Sequence, residues 1–360
     1  MLVPDQPALV LAPMQGLTDA PMRAVCAGFG AFTFAVSEFL RISSDVPPTR
    51  VFYRHVPELH HGSKTPNGLP VQVQLLGGHA GRMAQAAFAA YQAGAKAIDI
   101  NFGCPAPTVN RHDGGAVLLL QPCRIREIVG AVRDALPPHV PVSAKMRLGW
   151  DSADFLLENA DMAAQGGAAW ITIHGRTRVQ GYAPPAYWNP IGLVREHLDI
   201  PVVANGDIWS LADFRRCREE TGCTHFMLGR GALADPRLAG QIARELGIAR
   251  ELGIAPPARE MGTGNPAADI PFDWAAPLKS LMVWTERIEG ETTPVLVCRL
   301  KQWLKIAARH GGFTRFELIK RAQSVEELFA LLSGLCPAAS FCNPEHQNDA
   351  LACSLSAASK

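Results

Sequence analysis

Residues 71–100 read VQVQLLGGHAGRMAQAAFAAYQAGAKAIDI. A short apolar run at 71–75 ends in glycine. A segment of helical spacing follows at 81–93, rich in alanine and carrying Met83 and Phe88, and a second apolar run stands at 97–100. Short continuous apolar strands alternating with helices are the mark of a parallel sheet buried on both faces. The same unit recurs outward in both directions. Further runs stand at 9–12, 34–37, 142–146, 170–174, 202–205 and 225–228, with helical spacing at 122–136 and 155–165. Eight strands in roughly 230 residues predict an α/β fold of the (β/α)8 TIM-barrel type. A doubly wound sheet is the runner-up, but the eight repeats and the lack of a G-x-G-x-x-G after the first strand tell against it.

The chain of 360 residues is 48% hydrophobic and 19% charged, ample for a large core and wrong for a disordered or fibrous protein. Its net charge of +1 rules out a globally basic nucleic-acid coat, though not a local basic patch. Nine cysteines without any C-x-x-C pair argue against a disulfide framework, a zinc ribbon or an iron–sulfur cluster, so no metal is expected. No basic residue precedes Arg23, Pro4 and Pro7 break the N-terminal segment, and no apolar run approaches a membrane span. The expectation is a cytoplasmic, monomeric protein with no membrane association.

Four regions are predicted. The barrel occupies 1–245, a Pro- and Gly-rich linker 246–274, a small C-terminal all-helical domain 275–333, and a loose tail 334–360. Arg244–Ala249 recurs immediately as Arg250–Ala255, too short a repeat for a solenoid and read as a local duplication. Between 275 and 323, nine Lys and Arg residues face four Glu, a local basic surface in an otherwise neutral chain. At about 100° per residue, Leu296, Leu300, Leu304 and Ala307 share one face of a helix over 294–310, and Lys301, Lys305 and Arg309 another.

In a barrel, reactive groups project from the carboxyl ends of the strands, and the polar residues of this chain gather there. The tips are Ala12-Pro13-Met14-Gln15-Gly16, then Gln74, Asn101-Phe102-Gly103-Cys104-Pro105, Lys145-Met146-Arg147, His174-Gly175-Arg176, Asn205-Gly206-Asp207 and Gly229-Arg230-Gly231. The last two lie where barrels commonly bind phosphate, with glycines admitting backbone N–H groups and Arg230 as a clamp. The alternative is that these glycines only make tight turns. Lys145 reads either as a Schiff-base lysine or as a fixed cation beside a cofactor that gains negative charge. Gln74 suits the edge of a heterocycle, or else satisfies buried backbone. Cys26, Cys217 and Cys298 read as packing groups. Cys104 stands on an exposed glycine-flanked turn without a neighbouring histidine in sequence, and an ordinary thiol, largely protonated at neutral pH, donates a proton as readily as it attacks. His112, on the same loop, is the candidate for a spatial partner.

In this order and spacing, these motifs resemble the tRNA-dihydrouridine synthases over about residues 9–332. Ser37-Glu38-Phe39-Leu40-Arg41, Arg147-Leu148-Gly149-Trp150-Asp151, Gln180-Gly181-Tyr182 and Lys301-Gln302-Trp303-Leu304 are similar to the bacterial DusC branch, which acts on uridine 16 of tRNA. The resemblance implies FMN as cofactor and NADPH as reductant. Ala12, Pro13 and Met14 would line the flavin, Gln74 would bond its pyrimidine edge, and Lys145 and His174 would lie by its N1–C2 side. Gly206, Asp207, Gly229 and Arg230 would hold the phosphate end, and Asn205 would be a further contact of the cofactor. Cys104, on a mobile loop, would protonate carbon 5 of the uracil, and Asn101 would fix the base. Arg41, Arg147, Arg299 and Lys301 are the candidate tRNA contacts. Another D-loop uridine (position 17 or 20), or a free pyrimidine, is the alternative substrate. An RNA-binding module with an idle barrel and a Schiff-base aldolase are the rivals of other classes.

Overall fold

The structure is a computed structural model that describes residues 1–43, 45–248, 272–290 and 293–334. Eight parallel strands close on themselves in sequence order: β1 (Ala8–Leu11), β2 (Phe34–Arg41), β3 (Val71–Leu76), β4 (Ile98–Phe102), β5 (Val142–Arg147), β6 (Trp170–His174), β7 (Val202–Asn205) and β8 (His225–Leu228). β8 returns to β1 with Leu11 opposite Leu228, completing a (β/α)8 barrel. Outside the second half of β2, the apolar strand positions are buried, because helices cover the outer face and side chains fill the interior. Helices expected from spacing form at Ala80–Gln92, Pro122–Asp134 and Leu156–Gln165. β2 runs four residues beyond its apolar segment, because a register irregularity between Val36 and Phe39 lets it continue along β3 to Arg41.

Four helices follow at the C-terminus, Ala275–Glu289, Thr293–His310, Phe316–Ile319 and Val325–Ser333. They share one apolar core with the barrel: Leu278, Leu281, Leu300, Trp303, Leu304 and Ala307 belong to the same buried cluster as Leu11 and Leu233. Trp303 donates from Nε1 to the Leu233 carbonyl at 2.8 Å, so its indole N–H is satisfied inside that core. Gly311 lies so close to the Ala234 carbonyl that a Cβ there would sit 1.8 Å from its oxygen. The helix Thr293–His310 is thereby docked on the segment that directly follows the β8 tip.

The first copy of the doubled hexapeptide ends the helix Pro236–Glu245. Gly247 takes φ +74°, and the Ile248 N–H reaches back to the Ala243 carbonyl at 3.0 Å, a left-handed stop that caps the last turn. Ala249, the whole second copy from Arg250, most of the expected linker, and the tail after Gly334 lie outside the described residues.

Candidate active site

The carboxyl ends of the strands open into a cavity of about 740 Å³. Its walls include Ala12, Pro13, Met14, Gln74, Asn101, Cys104, Lys145, Arg147, His174, Asn205, Gly206, Asp207, Gly229 and Arg230. Arg41, Arg299 and Lys301 are not on its walls. The strand-tip motifs converge because each follows its strand out of the same end of the barrel.

One side is cationic. Lys145 Nζ donates to Asn205 Oδ1 at 3.2 Å, and burial, then the neighbouring Arg147, pull its pKa down to about 8. Arg176 is fully buried and paired with Asp207, whose other carboxylate oxygen lies 3.6 Å from Arg230 Nη2. His174 stands amid this charge. Burial first, and then Lys145, Arg147, Arg176 and Arg230, hold its pKa well below the ordinary imidazole value, so it is neutral. Three buried polar atoms here lack a hydrogen-bond partner: His174 Nδ1, Arg176 Nη1 and Asp207 Oδ1. Such orphans are costly in a finished interior and mark a place where a polar ligand completes the bonding. Asp207 takes φ +47°, left-handed for a non-glycine residue, and Gly206 before it takes φ +125°. With the Asp207 carboxylate engaged by arginines, what that turn has to offer an anion is backbone N–H.

The adjoining wall, at the tip of the neighbouring strand β4, holds the thiol. Cys104 is half-buried; burial raises its pKa, partly offset by the Ala106 N–H and the charges of Arg147 and Arg41. The thiol is therefore protonated across the physiological range. The loop expected to be mobile is tied by five hydrogen bonds. Gly103 N–H and Cys104 N–H both donate to Asn101 Oδ1 at 2.9 Å, and Arg147 Nε donates to the Gly103 carbonyl at 2.9 Å; Asn110 Nδ2 and Ala116 N–H donate to the Cys104 carbonyl at 3.0 and 3.1 Å. His112 bonds the Thr108 carbonyl in solvent and is not on the cavity wall, so no Cys–His pair forms.

Other candidates take quieter positions. Arg147 gives further N–H groups to the carbonyls of Thr177 and Gly181, so its guanidinium secures two loops as well as the wall. Arg299 is ion-paired with both Asp19 and Glu289 where the helix Thr293–His310 meets the barrel. Arg41 reaches the Thr108 carbonyl at 3.4 Å, and Lys301 is half-buried on its helix. Cys26 and Cys217 are buried as expected, whereas Cys298 is exposed. Residue-by-residue reading passed over Asp99 and Ser143, which lie behind Gln74, and Trp209, over which Arg230 stacks at 5.0 Å. Among the described residues, no group of His, Cys, Asp and Glu is arranged to hold a metal, and no helix is long and apolar enough to cross a membrane.

Closed barrel, cationic mouth and half-buried thiol together make a (β/α)8 site suited to a polar, anionic ligand. Comparison with known proteins narrows this. The family model described as Dihydrouridine synthase (Dus) matches residues 10–255. The tRNA-dihydrouridine(16) synthase of Neisseria meningitidis is 40% identical over 331 residues, 89% of this chain and 93% of the relative. Those of Shewanella oneidensis and Pseudomonas syringae are each 39% identical over 327 residues, 90% of this chain and 96% and 98% of theirs. The chain belongs to the dihydrouridine synthase family.

Proposed function

We propose that the protein reduces the C5–C6 double bond of uridine 16 in the D-loop of tRNA to 5,6-dihydrouridine, with FMN as cofactor and NADPH as reductant. The observation that carries this reading is a thiol kept protonated by burial, on the wall of a cavity whose adjoining wall is cationic and short of hydrogen-bond partners. The residues present suit FMN. Arg230, Gly206, Asp207 and Gly229 would take its phosphate, Ala12, Pro13 and Met14 its apolar ring, and Gln74 and Asn205 the polar ring edges. Close approach is built in, since a Cβ at Gly229 would stand 3.3 Å from Met14 Sδ. The cavity lies within the roughly 300–1,000 Å³ typical of cofactor sites.

When bound and reduced, FMN supplies a hydride for carbon 6 of the uracil. The remaining work falls to the chain. Lys145 and Arg147 place fixed positive charge where negative charge builds during the reaction, at no cost of reorganisation. Neutral His174 can accept or donate a hydrogen bond there without adding a further charge. Cys104 gives the proton: its S–H bond breaks as the C5–H bond forms, and Arg147 and Arg41 ease the thiolate that remains until solvent reprotonates it. Asn101, with Oδ1 turned to the Cys104 loop, has an N–H left for the base. Bringing uridine out of the tRNA stack costs a few kcal/mol. The exposed Lys305 and Arg309, on the helix docked beside the mouth, would help offset it by pairing with phosphates.

The decisive experiment maps dihydrouridine in tRNA from cells lacking the protein, and again after restoring the wild type or Cys104→Ala. Loss at position 16 that only the wild type restores is the expected result. Dihydrouridine at position 16 that persists without the protein would overturn the assignment.

A further inference from the structure

A buried carboxylate inside the barrel is not used by any step above. Asp99 lies on β4 two residues before Asn101, 2% exposed, beneath the cavity floor. It faces β3 and β5 in register, opposite Gln74 on one side and Ser143 on the other. Asp99 Oδ2 accepts from Gln74 Nε2 at 2.7 Å, and Oδ1 accepts from Ser143 Oγ at 2.5 Å. Ser143 Oγ in turn accepts from Gln72 Nε2 at 2.9 Å.

The chain of bonds continues toward the thiol. Gln74 Oε1 accepts from Asn101 Nδ2 at 2.9 Å, and Asn101 Oδ1 accepts the N–H groups of Gly103 and Cys104. Both ends fix its sense. A backbone N–H can only donate, so Asn101 must turn its oxygen to the loop and its nitrogen to Gln74. An ionised carboxylate can only accept, so Gln74 must turn its nitrogen inward and its oxygen to Asn101. Remove the carboxylate and nothing at the lower end prevents the Gln74 amide from turning over. Its NH2 would then meet the NH2 of Asn101, which would have to release Gly103 and Cys104 or lose its own partner. Buried networks of this kind are sound only when every member is satisfied.

We propose that Asp99 is a positioning residue: through Gln74 and Asn101 it sets the direction of two amides on the cavity wall and holds the Cys104 loop in place. This rests on the reading of Cys104 as the proton donor, but it concerns a part of the structure that can be tested separately.

The test uses the full-length protein as purified, with Asp99→Asn as the near-isosteric variant. Iodoacetamide labelling of Cys104, measured by peptide mapping against exposed Cys123 in the same digest, reports the loop directly. The Cys104-to-Cys123 rate ratio is expected to rise about fivefold, the factor that corresponds to loss of one typical hydrogen bond. Single-turnover reduction of tRNA is expected to fall about tenfold to a hundredfold, the scale of a small misplacement of a reacting group. Reduction of the flavin by NADPH, which senses Gln74 but not the Cys104 loop, should fall less than reduction of tRNA, whereas a general loss of structure would lower both alike. A wild-type value for either the labelling ratio or the tRNA rate overturns the proposal, as does an equal fall in both half-reactions. If Asp99→Asn does not fold, Ser143→Ala, which strips one of the two donors from the carboxylate, takes its place, and an unchanged labelling ratio overturns the proposal. Cys104→Ala is run in parallel. Full product from that variant would sink the proton-donor reading alone, while the labelling ratio would still decide whether Asp99 holds the loop.

Discussion

Gly115 is not itself on the cavity wall, yet replacing it with alanine should slow the reaction. It takes φ +67°, and a Cβ added there would stand 2.8 Å from the Cys104 carbonyl oxygen, 3.0 Å from Cys104 Cβ and 3.1 Å from Val109 Cγ1. Ordinary contact begins at 3.4 Å, so the Cys104 backbone must retreat by about 0.6 Å, the difference between 3.4 and 2.8 Å. It cannot retreat freely, because Asn101, Arg147 and Asn110 bond the loop from its other sides. The thiol is what moves. Left-handed backbone also costs an alanine about 1–2 kcal/mol, equivalent to a few degrees in Tm.

A displacement of that order at a reacting group costs roughly tenfold to a hundredfold in rate. The assay is rapid-quench single turnover, with enzyme reduced in advance and mixed with excess tRNA transcript, scoring dihydrouridine by mass spectrometry. NADPH oxidation is followed separately. Gly115→Ala should lose its rate in the first assay and keep it in the second, with KM for tRNA unchanged. A well-folded Gly115→Ala protein that forms dihydrouridine at the wild-type rate would refute the claim that the position of Cys104 matters to the chemistry.

Three further outcomes follow from the same geometry. Arg230→Ala should weaken FMN binding by about tenfold to a hundredfold, as for loss of one charge-assisted hydrogen bond, while leaving the affinity for phosphate-free riboflavin unchanged; quenching of flavin fluorescence distinguishes the two. Lys305→Glu with Arg309→Glu should weaken tRNA binding and flatten the slope of log K against log salt by about 0.7–0.9 for each phosphate left unneutralised, whereas Arg299→Glu should lower thermal stability instead, because Arg299 is held by Asp19 and Glu289. Lys145 gives a pH signature: with its folded pKa lowered to about 8, the unfolded chain binds the extra proton between there and the ordinary lysine value, so the stability of FMN-free protein should rise across that window relative to Lys145→Met. Parallel melting curves for the two proteins through that pH range would contradict it.

The barrel was legible because its strands are buried on both faces. Predominantly apolar runs suit that environment, so runs such as 170–174, 202–205 and 225–228 coincide with strands to the residue. β2 was undercounted because its second half, Glu38 to Arg41, is only partly covered and carries the mixed residues of such a surface. The strand-tip residues were legible for a related reason: polar groups that end an apolar strand have one place to go. Asp99 was not. It sits between Ile98 and Ile100 in a buried run and looks like an ordinary strand residue, and only the rule that a buried carboxylate must have partners would have flagged it. With Gln72 and Gln74 two apart on one strand and Ser143 on another, the partners were in the sequence, but their register was not. The basic count over 275–323 met a similar limit. Composition cannot separate Arg299, neutralised by two acids, from Lys305 and Arg309 in solvent.

The charge at the mouth makes little sense as a device for folding. Lys145, Arg147, Arg176 and Arg230 converge around one neutral histidine, with Asp207 the acid between Arg176 and Arg230. Burial lowers the pKa of Lys145, Arg147 and Arg230 alike, which means that the folded chain bears a cost to keep each charged. Elsewhere the same barrel shows how a buried arginine is accommodated when stability is the aim: Arg23 meets both oxygens of Glu58 at 2.7 and 2.8 Å and leaves nothing unmatched. At the mouth the matching is withheld, and orphaned atoms on His174, Arg176 and Asp207 remain. Local rules broken together in one place point to a site built for something the chain does not itself contain. A doubly charged phosphate and a ring that becomes anionic on reduction would supply the missing negative charge at both ends of that cluster. Binding them then contributes to stability by mass action what the unpartnered groups of the chain forgo.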